Sequence, residues 1–299
     1  MSMDIFREDA LAGKSILVTG GGSGLGLEIG KALAAKGSKV HICGRRPQLL
    51  EEAAAKISEG AAVPASHHVC DVRDADQVEG AMEAIWAEGP LTGLVNNAAA
   101  NFIAPTRDLS PRGFRAVTST VMDGSFHATL AAGKRWIAGG HKGSVVSNLV
   151  TWVWTGSAFV VPSAMAKTAL HAMTMSLAVE WGRYGIRLNA TAPGPFPTES
   201  AWEKLSPIPD VSSSATRADT VPLGRYGQIR ELQNLIIFLL SDACDYLTGQ
   251  TIAIDGGQHL AGPGTFADLT ALTDEQWRTA REAIQRSTQR DKAQRAAGA

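Results

Sequence analysis

The chain has 299 residues, 44% hydrophobic and 19% charged, enough for one large globular domain with a full core. A formal net charge of -1 with mixed signs offers no global attraction to nucleic acid or anionic membranes, and the longest strongly apolar run, 235–240, is far too short to span a bilayer. Three cysteines without Cys-x-x-Cys spacing and an N-terminus without an apolar signal core fit reduced thiols in a cytoplasmic protein.

The first element in chain order is the strand SILVTG (15–20), followed by a glycine-rich turn and a helix expected over 24–36. A strand, such a turn and a helix together form the context of a dinucleotide site. Gly20, Gly21 and Gly22 let the backbone bend and approach a ligand, while Ser23, Gly24, Leu25 and Gly26 lie where N–H groups at a helix start face a pyrophosphate. A tight turn without a ligand is the competing reading. The second strand, KVHIC (39–43), opens onto Arg45 and Arg46. Many dinucleotide folds carry an acid there for the ribose hydroxyls, whereas guanidiniums suit a 2′-phosphate. The expected cofactor is therefore NADPH, against the alternative of a surface arginine pair.

A helix over 47–57 and the strand SHHVC (66–70) come next. His67 and His68 read as a strand end, and no metal is expected, because the histidines include no His-Glu-x-x-His. Helices over 74–88, 111–137, 162–184 and 228–240 alternate with the strands GLVNN, GSVVSN, IRLNATA and QTIAID. This order predicts an α/β fold of the Rossmann type, a doubly wound parallel seven-stranded sheet with helices on both faces. The Pro-, Ser- and Thr-rich stretch 198–222 reads as a substrate lid, or else as a plain surface insertion. A C-terminal helical extension is expected within 259–299, where TDEQWRTAREAIQR offers a threonine N-cap. Along 162–184, Leu170, Met173, Leu177 and Trp181 form an apolar stripe, and PSAMAKTAL puts Ser163 and Lys167 on one face. That pair fits a nucleophile with its base, part of a reductase site, or an ordinary helix face.

The spacing Thr-Gly-x-x-x-Gly-x-Gly over Thr19 to Gly26 resembles the short-chain dehydrogenase/reductase superfamily, as do Asp71-Val72, Asn96-Asn97-Ala98-Ala99, Pro193-Gly194 with Thr198, and Asp255-Gly256-Gly257. The resemblance implies that Asp71 and Val72 hold adenine, that Asn97 and Ala98 end the central strand beside the cofactor, and that Pro193, Gly194, Phe196 and Thr198 belong to the nicotinamide-side loop. The superfamily usually carries Tyr-x-x-x-Lys, but Ser163 stands at the tyrosine place, and Val121 replaces an asparagine often found three residues before Gly124. A phenol begins near pKa 10 and a neighbouring ammonium can lower it; an alkyl hydroxyl is too weak an acid to follow. Ordinary ketone reduction is therefore doubtful.

Hydride addition to a conjugated thioester avoids that difficulty, since the enolate is protonated at carbon and its oxygen needs only hydrogen-bond donors. The stretches NNAAANFIAPTRDLSP, SAFVVPSAMAKTALHAMTMSLAVEWGRYGIRLNATAPGP and GTFADLTALTDEQWRTAREAIQ resemble 2,4-dienoyl-CoA reductases, the mitochondrial type more than the peroxisomal. This resemblance implies that Asn101 bonds the thioester, that Ser163 is an active-site serine, that Lys167 holds the cofactor ribose, and that Arg73, Phe102, Ser110 and Lys204 contact an acyl-CoA substrate. It also implies a homo-oligomer, a tetramer. Taken singly, Arg73 and Lys204 read as surface charges, Phe102 as a core aromatic and Asn101 as a turn residue. At Trp152 the mitochondrial type has a tyrosine; the indole N–H can donate there, or Trp152 and Trp154 pack beside an acyl channel. The peroxisomal type uses an aspartate at the place of Val121, and Asp123 is turned to another face. The expected activity is reduction of 2,4-dienoyl-CoA to 3-enoyl-CoA. A reductase of a 2-enoyl thioester or carbonyl, and a nucleotide-binding member without catalysis, stay open beside it. A Ser-Lys hydrolase is set aside because the cofactor site already needs Lys167.

Overall fold

The computed structural model describes residues 5–197, 218–262, 273–276, 278, 279 and 282. Seven parallel strands form one sheet in the order β3-β2-β1-β4-β5-β6-β7: β1 Ser15–Thr19, β2 Lys39–Gly44, β3 Ser66–Val69, β4 Gly93–Asn96, β5 Gly143–Asn148, β6 Ile186–Pro193 and β7 Thr251–Ile254. This is the expected doubly wound sheet, with its order reversing between β1 and β4, where such folds open a crevice at the strand ends. His67 and His68 lie within β3.

Alternation along the strands feeds two cores. On one face Ile16, Val18, Val40 and Ile42 meet Ile29 and Leu33 of α1 (Gly24–Ala34), Leu50 and Ile57 of α2 (Pro47–Ser58) and Ile236 of a helix over Ile229–Leu240. On the other, Leu17, Cys43, Leu94 and Val145 meet Met82 and Ile85 of α3 (Ala75–Ala87), and Trp136 and Trp181 from the two long helices described next. Local chemistry starts these helices: the Asp74 carboxylate accepts the N–H groups of Asp76 and Gln77, and Gln228 with Glu231 forms a capping box.

The helix expected over 111–137 is interrupted. It divides into α4 Pro111–Thr118, a π-helical turn Ser119–Asp123 and α5 Gly124–Gly139. Thr118 and Thr120 donate to carbonyls four residues back, at 3.2 and 2.9 Å, the kind of competing bond that bends helices. At the end of the turn Gly124 lies so close to Val72 that a Cβ would sit 2.9 Å from its Cβ. One inserted residue shifts the apolar pattern without erasing it, so periodicity reads straight across the turn. A four-residue helix, α6 Trp152–Thr155, was too short to leave a periodic signal.

The following helix, α7 Val161–Trp181, buries Ser163, Ala166, Lys167, Leu170, Thr174, Ala178 and Trp181. Of the expected stripe, Met173 and Leu177 are only half-buried. Small side chains hold the buried line because α7 lies against β6. Residues 198–217 of the expected lid lie outside the described residues; 218–220 form a tight turn, and buried Val221 follows. The chain groups into two compact units, Met1–His259 and Leu260–Ala299. In the second, the Thr273 hydroxyl accepts from the Gln276 N–H while the Gln276 side chain accepts from the Thr273 N–H, so the expected threonine cap is in place. No helix among the described residues is long and apolar enough to cross a membrane.

Candidate active site

A cleft of about 450 Å³ opens where the strand order reverses, from the glycine turn after β1 to Asn148 and Lys167. Gly20, Gly22, Ser23, Gly24, Leu25 and Gly26 line one end. The N-terminus of α1 has no side-chain cap and no acid in its first turn, so its N–H groups and the positive end of its dipole remain for an anion. Gly21 is not in the lining; it packs against Ile42 and lets the turn lie on the sheet. Thr19 ties the floor together: its hydroxyl accepts the N–H groups of Asn97 and Ala98, each at 3.0 Å.

Arg45 and Arg46 are exposed and border the cleft beside Leu49, Leu50, Cys70, Asp71 and Val72. These residues fit a 2′-phosphorylated adenosine, with guanidiniums at the rim and apolar walls within. Arg45→Ala is expected to lower the preference for NADPH over NADH by at least tenfold, the order of one charge-assisted bond. Steady-state kinetics with both cofactors would measure it, and an unchanged ratio would remove the phosphate argument.

At the other end of the cleft lie Asn97, Ala98, Ala99, Ala100, Asn101, Phe102, Thr120, Asn148 and Lys167. The Lys167 side chain is almost wholly buried, and its ammonium donates to the Asn148 carbonyl. Burial lowers its pKa from the usual 10.5 to about 8. Asn148 is held in turn by a bond from its amide to Asn97 and another from Thr191, both at 3.2 Å. One helical turn before Lys167, Ser163 is 4% exposed, and no hydrogen bond engages its hydroxyl among the described residues. Its hydroxyl is free to donate, one turn from Lys167 at the cleft wall, although Ser163 itself is not among the residues that line the cleft. Asn101 and Phe102 lie in the loop after β4, and Asn101 likewise makes no side-chain hydrogen bond among the described residues.

Several expected contacts are placed differently. Arg73 grips Asp71 through paired nitrogens at 2.9 and 2.5 Å, which holds the Asp71 carboxyl below the usual carboxylate range. Arg73 is thus paired with Asp71, which lines the cleft, and is itself absent from the lining. The Ser110 hydroxyl accepts the Gly113 N–H at 3.0 Å as the cap of α4. Phe196 is a core residue, buried against Gly227, while Pro193 ends β6 and Gly194 bonds the Ile254 carbonyl at 3.1 Å. Trp152 is half-buried at the start of α6, outside the cleft lining. Thr198 and Lys204 lie outside the described residues. Sequence reasoning missed Thr120 and Asn148. The only available signal was the asparagine ending GSVVSN, whose carbonyl takes the buried ammonium.

The sequence profile of the family described as enoyl-(acyl carrier protein) reductase matches residues 20–259. A Bacillus subtilis protein named probable 2,4-dienoyl-CoA reductase, (2E)-enoyl-CoA-producing, is 40% identical over 249 residues, 83% of this chain and 97% of that one. A Caenorhabditis elegans protein of the same name, but (3E)-enoyl-CoA-producing, is 35% identical over 298 residues, 97% of this chain and 95% of that one. Among solved structures, a gluconate 5-dehydrogenase from Burkholderia cenocepacia in complex with NADP and tartrate superposes with a TM-score of 0.76 at 32% identity, covering 84% of this chain and 97% of that one.

Proposed function

The chain belongs to the short-chain dehydrogenase/reductase family, and from that membership we propose that this oxidoreductase uses NADPH to reduce 2,4-dienoyl-CoA to 3-enoyl-CoA, a step in the breakdown of unsaturated fatty acids. The observation that carries the reading is Ser163, a largely buried residue whose hydroxyl is unengaged among the described residues, one turn from Lys167 at the place where a ketone reductase needs a phenol. The two relatives named 2,4-dienoyl-CoA reductases support the substrate class.

Bound NADPH supplies the hydride. Lys167 positions the ribose, and Ser163 and Asn101 donate to the thioester oxygen, where charge gathers as hydride reaches the far end of the diene. Preorganised donors of this kind contribute on the order of 3 kcal/mol each. The dienolate then takes a proton from water at the α carbon, where its charge is greatest, which leaves the double bond at the 3 position. Neither donor has to part with its own proton, so a serine suffices. The free, buried thiols of Cys43, Cys70 and Cys244 suit a reducing cytoplasm.

NADPH absorbance should decay when the protein meets trans,trans-2,4-hexadienoyl-CoA, with the 3-enoyl thioester identified by chromatography against both isomers. Asn101→Ala with Ser163→Ala should lower kcat by roughly 100-fold or more. Oxidation of NADPH only with ketones or sugar acids, or binding without turnover on any acyl-CoA, would overturn the assignment.

The reading extends to a homo-oligomer, a tetramer as in the reductases it resembles. Met165, Ala172, Met175 and Val179 form an exposed apolar face on α7, with Val179 85% exposed. Val179→Asp should reduce the mass measured by light scattering while leaving the monomer folded; an unchanged mass would place any contact elsewhere.

A further inference from the structure

We propose that His41, His68 and Glu88 form a site for a divalent transition metal of the zinc class, apart from the dinucleotide cleft. His41 lies on β2 and His68 on β3, and Glu88 follows α3 as its C-terminal cap. In the β2–β3 register His41 stands opposite Ser66, and Cys43 opposite His68. Because side chains alternate, His41 and His68 project from the same face of neighbouring strands, the face that packs on α3. His67 projects from the other.

One potential ligand atom from each of the three side chains lies within 4.8 Å of the others. The His41 Nδ1 and His68 Nε2 atoms are 3.4 Å apart, at the long limit of a hydrogen bond. It is also the separation of two nitrogens each about 2.05 Å from a tetrahedral zinc, about 3.35 Å. The remaining His41 nitrogen, Nε2, faces the Ser15 hydroxyl at 3.2 Å. An outer hydrogen bond of that kind fixes the tautomer and ring angle of a ligating histidine.

Lys39 and Ser66 both engage Oε2 of Glu88, at 2.7 and 3.5 Å, and Oε1 has no partner among the described residues. A carboxylate offers about four lone-pair sites on its two oxygens, so Glu88 can accept a cation and keep these contacts. The C-terminus of α3 adds the negative end of a helix dipole. Two imidazoles and a carboxylate form a donor set suited to zinc, with water completing four-coordination. A bound ion would join β2, β3 and the end of α3, and β3 leads directly to Asp71 and Val72 of the cleft.

The test uses the full chain without a histidine tag, stripped with EDTA and titrated with ZnCl2 by calorimetry, and with Co2+ by visible absorption. One ion per chain is expected, with the strong d–d bands of four-coordinate cobalt. His67→Ala should bind as the wild type does, and Ser15→Ala about tenfold more weakly. His68→Ala and Glu88→Gln should each lose on the order of 100-fold in affinity, with NADPH binding as the check that they are folded. If His68→Ala fails that check, partly exposed Glu88→Gln decides alone. Absence of micromolar zinc binding by the wild type, or wild-type affinity in folded His68→Ala or Glu88→Gln, would overturn the site.

Discussion

Gly26→Ala is expected to abolish measurable NADPH binding and to destabilise the protein by about 1–3 kcal/mol. A Cβ at this position would collide with the Gly20 carbonyl oxygen and lie 2.6 Å from Nδ2 of Asn97 and 3.0 Å from the Gly20 carbonyl carbon. Neither neighbour is free to move. Gly20 has φ +67° and lies against Ala98, where an added Cβ would be 2.9 Å from the Ala98 Cα. Asn97 is tied by its amide to the Thr19 carbonyl at 3.2 Å and by its oxygen to Asn148. The better helix propensity of alanine, about 1 kcal/mol, opposes the clash without offsetting the displaced turn. Gly80→Ala in α3, away from the cleft, is the control, because a Cβ there meets nothing within 4 Å. Fluorescence titration with NADPH and thermal denaturation would measure both variants. Wild-type binding by Gly26→Ala would mean that the dinucleotide does not approach this turn.

Lys167→Met is expected to lower kcat/KM by roughly 100- to 1000-fold, the range seen when one preorganised polar group is removed from an active site. The methionine keeps the length of the chain and removes the ammonium, which in the protein is buried and donates to the Asn148 carbonyl at the cleft wall. A pH signature separates this loss from general damage. Burial lowers the Lys167 pKa from 10.5 to about 8, so below pH 8 the ammonium is present in both folded and unfolded chains and its desolvation cost is fully felt. Between about pH 8 and 10.5 the unfolded chain binds more protons than the folded one, and stability rises with pH. Relative to Lys167→Met, the cofactor-free wild type should therefore gain stability across that window. Activity should move the opposite way, falling above pH 8 unless bound phosphates hold the proton on. Denaturant unfolding and initial rates at matched pH test the two trends, and parallel curves for wild type and variant would assign the titration to another group.

Much of the fold could be read locally. Ile16, Leu17 and Val18, or Val145 and Val146, give short β-branched and aliphatic runs because these strands are buried on both faces. Asp74 with Asp76 and Gln77, and Thr273 with Gln276, announce helix starts by chemistry confined to one turn. Ser23 to Gly26 after β1 signalled the dinucleotide end for the same reason, since backbone, glycines and helix start are contiguous.

Residue type alone left the partners of several side chains open. Arg73 carries the charge suited to a phosphate but is taken by Asp71, and Phe196 follows β6 only to be buried beside Gly227. The π-helical turn sends Thr120 to the cleft while Val121 packs with Leu149, Ala166 and Leu170, which also explains how a valine is accommodated at that place. By itself, the sequence determined the order of strands and helices, the glycine turn and the pairing of Ser163 with Lys167 on one helix face, all products of bonds spanning a few residues. The tertiary structure alone decided that Asn148 receives the Lys167 ammonium, that the Ser163 hydroxyl stays unengaged, and that His41 faces His68, because those outcomes depend on which buried partners the packed layers bring within hydrogen-bond reach.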